Sequence, residues 1–217
     1  MRPHIRSAVL STALVVALAV PALAGPPLLC HPYDTGNARS LPWGESRGWS
    51  GDLQDYKLEK LIADTEALLT PSTPVIARME TLRRASLYAS RDRTIASQLL
   101  TRLVSRANAA DAAGRPDALA LLDAAYVAGA FHEISMFGRD GELRNRAANA
   151  QQALGNTDAY ALIRRSVAAR PDDASIQFAA ALIASGRDRN AYLQHAEKAR
   201  SGVTKDALLA RNIDHIS

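Results

Sequence analysis

Cys30, His31 and Asp34 are the residues whose types and closeness best suit metal or thiol chemistry. Thiolate, imidazole and carboxylate groups can all bind zinc, but zinc sites are built from two separated ligand pairs. Cys30 is the only cysteine of the chain, so no second cysteine pair follows it. Haem attachment needs two cysteines before a histidine, and Cys30-His31 lacks the first. We therefore expect no metal and no cofactor.

Cys30 itself has three interpretations. Lipidation would need a small residue directly before the cysteine, and Leu29 stands there. A reactive thiol, or one that pairs with another molecule, is the second interpretation. In the third, Cys30 is a small apolar side chain in the core, as free cysteine often is. We favour the third.

The histidines do not form a catalytic motif. His132-Glu133 begins the zinc-protease pattern of two histidines around a glutamate, but Met136 occupies the second histidine position. His195 and His215 stand alone on predicted helices, where histidines usually have packing or surface roles. We predict no catalytic residue, and nothing in the sequence favours an enzyme.

Arginine is concentrated between Arg78 and Arg106, where the only acids are Glu80 and Asp92. The preceding stretch, residues 52–66, is acidic. In one interpretation these opposite charges face each other across the solvated edge of two antiparallel helices. In the other, an anionic partner such as a phosphorylated lipid, an acidic envelope polymer or an acidic protein segment binds four of the arginines: Arg83, Arg84, Arg91 and Arg93.

The first 24 residues have the pattern of a signal peptide. Arg2 and Arg6 precede an apolar run over residues 8–20, and Ala22-Leu23-Ala24 supplies small residues for cleavage before Gly25. The run is shorter than the ~20 apolar residues of a membrane span, so an uncleaved anchor is the weaker alternative. We expect an exported protein, periplasmic or secreted, with no stable membrane span after cleavage.

The charge balance argues against nucleic-acid binding. The formal net charge of the whole sequence is +4, and removal of Arg2 and Arg6 would leave the chain nearly neutral. A nearly neutral exported chain lacks the excess positive charge that binds phosphate backbones. We therefore predict a protein or peptide partner and no nucleic acid.

Residues 25–51 predict an irregular arm, because prolines and glycines recur too often for a regular helix. Tyr33, Leu41, Trp43 and Trp49 are too large and apolar to remain in solvent. We expect the arm to cover the chain's own first helices, or else to dock on a partner through Trp43 and Trp49. Its stretch LLCHPYDTGNARSLPWG, residues 28–44, resembles a group of uncharacterised exported bacterial proteins and implies no activity.

Residues 52–217 show apolar side chains at helical spacing throughout, which predicts an all-α domain of short helices. Proline, glycine and aspartate separate the helices, and Thr73-Pro74 predicts an N-cap followed by a first-turn proline. No segment alternates as a strand does.

The C-terminal half has a repeat-like pattern. A tetratricopeptide unit has a set order of large and small residues and is closed by a proline. That order of large and small residues occurs here at Phe178, Ala179, Leu182, Gly186 and Ala191. Residues 141–202 thus resemble two degenerate tetratricopeptide units. The resemblance implies antiparallel helical hairpins stacked as a short superhelix, with a groove for a protein or peptide. The alternative is an ordinary alanine-rich helical bundle.

Together these patterns favour an exported, non-catalytic helical interaction module or scaffold in the cell envelope. The alternative is an envelope enzyme or a metal or thiol protein that uses Cys30 and His31.

Overall fold

The computed structural model describes residues 27–45, 49–138 and 140–216, and all regular secondary structure in these ranges is helical. The nine helices are α1 (Leu61–Leu68), α2 (Val75–Ala89), α3 (Arg93–Ala112), α4 (Ala118–Ser135), α5 (Gly141–Leu154), α6 (Ala159–Ala169), α7 (Ala174–Ala184), α8 (Arg189–Ser201) and α9 (Ala207–Asn212). Short 3-10 turns precede α1 and follow α9. The prediction of an all-α fold after an irregular arm is confirmed.

Aspartate side chains start most of the helices. At an N-cap, a carboxylate accepts hydrogen bonds from the free N–H groups of the first turn and faces the positive end of the helix dipole. This arrangement occurs at Asp92, Asp117, Asp158, Asp173, Asp188 and Asp206. The aspartates that the sequence predicted to separate the helices are therefore the residues that cap them.

The predicted cap of α2 is wrong. Pro74, and not Thr73, occupies the N-cap position of α2. The Thr73 hydroxyl instead donates to the Leu68 carbonyl oxygen at 2.7 Å and accepts from the Thr70 N–H at 3.2 Å. Because Leu68 ends α1, Thr73 provides a hydrogen bond to a free carbonyl group at the end of α1 and does not cap the start of α2.

Helix α4 is the centre of the molecule. It packs against α2, α3, α5, α6 and α7, and nearly every side chain from Ala118 to Ile134 is buried. Its many alanines let the neighbouring helices approach closely. Because helices surround α4 on all sides, it has no polar face. The two acids of this helix, Asp123 and Glu133, are consequently buried with it.

The C-terminal helices pack in part as consecutive neighbours. Helix α7 packs against both α6 and α8, whereas α5 lies mainly against α3 and α4. The antiparallel pairing expected of two successive repeats is therefore clearest at α7 and α8, and the tetratricopeptide resemblance stays a prediction.

The predicted signal peptide and its cleavage point lie outside the described residues. Within the described part of the chain, none of the helices has the length and apolar character needed to cross a membrane.

Candidate functional site

The arm is part of the hydrophobic core. Leu28, Leu29, Tyr33 and Leu41 are all buried and belong to the same apolar cluster as the helices. The prediction that the arm lies against the chain's own helices is confirmed. Its contacts extend further than the first helices, since the Asp34 N–H donates to the Asn212 side chain of α9 at 2.8 Å.

Glu80, Arg83 and Arg84 of α2 form a charged group under the arm, here called the arm seat. The Glu80 carboxylate, which is fully buried, accepts from Arg83 Nε and from Arg84 Nε, each at 2.7 Å. It also accepts from the Tyr33 N–H of the arm at 3.1 Å. Glu80 thus pairs with two arginines and satisfies a backbone donor that would otherwise be buried unpaired.

The two arginines of the arm seat also hold the arm's carbonyl groups. Arg83 Nη1 donates to the Leu29 carbonyl oxygen at 3.1 Å, and Arg84 Nη1 donates to that of Leu41. A guanidinium has five donors, so each can serve a carboxylate and a carbonyl together. The arm seat therefore fixes the path of the arm.

The four arginines predicted to bind an anionic partner are not gathered on one exposed surface. Arg83 is fully buried, and the Arg84 side chain is only 21% exposed. Arg91 lies at the edge of the arm and donates to the Leu53 carbonyl oxygen at 2.9 Å. Only Arg93, at the start of α3, is exposed. An anionic partner for this group stays a prediction, and in this conformation three of its members bind the protein's own carbonyl groups.

The interpretation of these charges as a solvated edge is corrected by their burial. Arg78 and Asp123 form an ion pair at 2.7 Å with neither side chain exposed, and Asp123 also contacts Arg106 at 2.9 Å. Only the contact between Arg102 and Glu66, at 2.8 Å, joins exposed side chains of the kind expected. This burial could not be predicted from the sequence, because the apolar pattern of α2 is typical of a helix whose arginines lie at the surface.

The two tryptophans predicted to contact a partner pack against different parts of the helical domain. Trp43 packs edge-to-face on Tyr88 with ring centroids 5.7 Å apart, and the Arg83 guanidinium carbon lies 4.9 Å from its ring. Trp49 lies 5.1 Å from Phe137 after α4. Both are half-buried, so each anchors the arm with one face. A partner role for their other faces stays a prediction.

Cys30, His31 and Asp34 do not form a metal site. Among the described residues, no group of three histidine, cysteine or acidic side chains is placed to hold a metal ion. His31 lies edge-on to His215, with centroids 6.0 Å apart, while the Asp34 carboxylate faces Arg211 at 3.6 Å. Burial raises the pKa of the Cys30 thiol, which is the opposite of thiol activation. This geometry does not support the metal or thiol alternative.

An open groove lies between α4, α6 and α7, with the start of the arm at one end. Its volume is about 620 Å³, within the range of ligand-binding pockets. It is here called the α4–α6–α7 groove, and its wall includes the apolar residues Leu28, Ala128, Met136, Leu154, Leu182 and Ile183. Met136, on its rim, is 63% exposed, unusually high for a large apolar side chain in this molecule.

Glu133 is one of two acidic residues that line the groove, the other being Asp158. Both of its carboxylate oxygens accept from the Leu28 N–H at 3.1 Å, and the residue is only 7% exposed. Burial raises the pKa of Glu133 to about 8, although the N–H groups of Leu28 and Leu29 oppose this rise. Within the described part of the chain, no cationic side chain pairs with it, in contrast to Glu80.

Two further residues of α4 complete the contact with the arm near Glu133. The Tyr126 hydroxyl donates to the Leu28 carbonyl oxygen at 2.7 Å. Gly129, between them on the same face, has no side chain because a methyl group there would come within 2.7 Å of Leu28 Cδ1. The sequence showed Glu133 only as part of an incomplete zinc-protease motif. Its position in an otherwise apolar helix was the available signal.

The far rim of the groove carries arginine and aspartate. Arg187 pairs with Asp158 at 2.8 Å, and its guanidinium carbon lies 5.4 Å from the Tyr160 ring. Arg187 thus pairs with Asp158, and among the described residues no charged side chain on this rim forms an ion pair with Glu133.

Comparisons of the chain with protein-family models, with curated proteins and with solved structures find no match.

Proposed function

We propose that this protein is an exported, non-catalytic helical scaffold that binds a peptide segment of a protein partner in the α4–α6–α7 groove. The observation that carries the proposal is an open groove of about 620 Å³ whose wall is largely apolar and includes the start of the arm. Concave, mainly apolar surfaces with few polar groups are typical binding sites.

The composition of the groove supports a peptide as its occupant. Its wall is formed by three helices and the arm, so an extended or helical segment can lie along it with apolar side chains inward. Met136 on the rim is flexible and polarizable, a property that suits surfaces which adapt to a peptide. An acidic residue, Glu133, lines the groove together with Leu28 of the arm, which gives the groove a direction.

The proposal is tested by filling the groove. Ala159 lines the groove near the start of α6 and is half-buried, whereas Ala168 on the same helix is exposed and outside it. Peptides that bind the purified chain from residue 25 onward are selected from a display library, and their affinities are measured by fluorescence anisotropy. We expect Ala159→Trp to weaken binding by about tenfold or more, which is about 1.4 kcal/mol, and Ala168→Trp to have no effect.

Circular dichroism and thermal unfolding of both variants establish that each is folded. Equal binding by the two variants would show that the peptide does not lie in the groove. A library that yields no binding peptide would contradict the proposed function itself.

Export is a separate part of the proposal, supported by the pattern of the first 24 residues. Mass spectrometry of the protein from the periplasm or medium should give a chain that begins at Gly25. A chain that retains Met1 and stays with the cytoplasmic fraction would contradict it.

A further inference from the structure

Glu133 differs from every other buried acid among the described residues. Four acidic side chains are buried in this part of the chain. The three others each contact an arginine, in the pairs Asp52–Arg146, Glu80–Arg83 and Asp123–Arg78. Glu133 contacts backbone N–H groups only. It is therefore an acidic group on the wall of an open groove, with no cationic partner in the part of the chain that the structure describes.

A role in holding the arm does not explain a carboxylate at this position. The N–H groups of Leu28 and Leu29 need an acceptor, and the oxygen of a neutral glutamine, with two lone pairs, could accept from both. Burial of an unpaired carboxylate costs free energy unless a cation approaches it. The groove is the open side from which such a cation can come.

We infer that the α4–α6–α7 groove selects peptide segments with a lysine, whose ammonium group pairs with the Glu133 carboxylate. This inference rests on the proposed function, and it adds the chemical class of the ligand. The apolar stem of a lysine suits the apolar wall that leads to Glu133, while the ammonium at its tip meets the charge.

The hydrogen bonds of Glu133 favour lysine over arginine. The two oxygens share the Leu28 N–H at 3.1 Å each, so this donor occupies the carboxylate edge between them. A guanidinium that binds with two parallel hydrogen bonds needs that same edge. An ammonium is a compact donor that binds one oxygen from its free side.

Other charged and titratable groups near Glu133 do not replace the ligand. His132 precedes it on α4 and is exposed, and Asp158 and Arg187 on the rim pair with each other. Cys30 and Tyr33 of the arm both interact electrostatically with Glu133, and neither carries positive charge. An incoming ammonium would thus be the cation nearest to Glu133 among the groups named.

Proton release accompanies this pairing. The pKa of Glu133 is about 8 in the free protein, so the carboxyl group is largely protonated at pH 7. An ammonium group beside it favours the ionised form and lowers that pKa. Binding of a lysine peptide at pH 7 should therefore release a proton, and binding of an uncharged analogue should not.

The test uses a set of apolar peptides of seven residues, acetylated at the N-terminus and amidated at the C-terminus. The central residue is lysine, arginine, Nε-acetyl-lysine or norleucine, and one further norleucine peptide has a free N-terminus. Affinities for the wild-type chain and for Glu133→Gln and Glu197→Gln are measured by fluorescence anisotropy. Glu197 is an exposed acid on α8, outside the groove, and serves as the matched control.

We expect the wild type to bind the lysine peptide about tenfold more tightly than the acetyl-lysine peptide. Glu133→Gln should lose this preference, and Glu197→Gln should keep it. A preference that persists in Glu133→Gln would overturn the inference, as would equal binding of all central residues. Stronger binding of the arginine peptide, or of the peptide with a free N-terminus, would overturn the assignment of lysine.

Calorimetry of the wild type keeps the inference falsifiable if Glu133→Gln does not fold. Titrations at pH 7 in two buffers of different ionisation enthalpy measure the protons released by each peptide. Release with lysine and none with acetyl-lysine supports the inference, and no difference contradicts it. If no peptide of the set binds, the groove proposal fails, whereas binding without charge preference removes only the role of Glu133.

Discussion

Glu80 and Glu133 perform the same task at two places along the arm, with different surroundings. Each is a glutamate on a core helix and accepts an arm N–H at 3.1 Å, from Tyr33 and from Leu28 respectively. Glu80 also contacts Arg83 and Arg84, both at 2.7 Å. Glu133 has no such partner among the described residues and faces the α4–α6–α7 groove.

The difference distinguishes an acid with a structural role, Glu80, from an acid that is available to a ligand, Glu133. The arm seat has no nitrogen of Arg83 left for a ligand. Arg83 Nε and Nη2 donate to the Glu80 carboxylate, and Nη1 donates to the Leu29 carbonyl oxygen. A hydrogen-bonded group of this kind holds the arm in one position. Glu133 holds the arm equally well by geometry, but its charge is not balanced there.

The largest effect should follow removal of the arm. A chain that begins at Trp49 lacks four buried apolar residues, Leu28, Leu29, Tyr33 and Leu41. At about 1.5–3 kcal/mol for each side chain, the loss is roughly 6–12 kcal/mol, comparable to the whole stability of a domain. We expect no cooperative thermal unfolding by circular dichroism, whereas a chain that begins at Gly25 should unfold cooperatively. An unchanged transition in the shorter chain would show that the arm is not part of the core.

The next largest effect should come from breaking the arm seat. Arg83→Met leaves the buried Glu80 with one arginine and removes the donor to the Leu29 carbonyl oxygen. Breaking a buried ion pair on one side costs about 3–5 kcal/mol. Urea unfolding should show this loss, while Arg93→Met, which changes an exposed arginine, should stay within about 0.5 kcal/mol of the wild type. If Arg83→Met and Arg93→Met both changed the free energy of unfolding only slightly, the arm seat would not stabilise the fold.

The sequence predicted the helices well because local patterns determine them. The sequence predicts aspartate and glycine between the helices. Asp92, Asp117 and Asp173 each cap the start of a helix, and Gly155, with a φ of 50°, follows the last residue of α5. The roles of the charged residues depend on contacts between distant parts of the chain. Glu133 meets Leu28 across 105 positions, and no local pattern reports such a contact.

Glu133→Gln should change the pH dependence of stability. The pKa of Glu133 is about 8 in the folded protein against an ordinary value of 4.5, so the folded state binds this proton more tightly than the unfolded chain. The resulting stability is complete below about pH 4.5 and is lost as the pH rises to about 8.

Glutamine does not ionise, so the variant should match the wild type near pH 5 and exceed it near pH 9. At 1.36 kcal/mol for each pKa unit, the gain is on the order of 2–4 kcal/mol. Urea unfolding at the two pH values measures it, with Glu197→Gln as the control. A constant difference between variant and wild type would show that Glu133 does not carry an unbalanced charge.

The smallest effect compares a glycine of the arm with a glycine of the groove wall. A methyl group at Gly51 would lie 2.1 Å from Trp43 Nε1, and the rigid indole cannot turn away by a simple rotation of its end. A methyl group at Gly186, on the groove wall, would meet no atom within 4 Å. Gly51→Ala should therefore cost about 1–3 kcal/mol through overpacking, and Gly186→Ala should stay within about 0.5 kcal/mol of the wild type. Because both changes add the same methyl group, thermal unfolding of the pair compares the two surroundings directly. If Gly51→Ala is as harmless as Gly186→Ala, the arm is loosely held at Trp43, and the contrast between a closed arm and an open groove does not hold there.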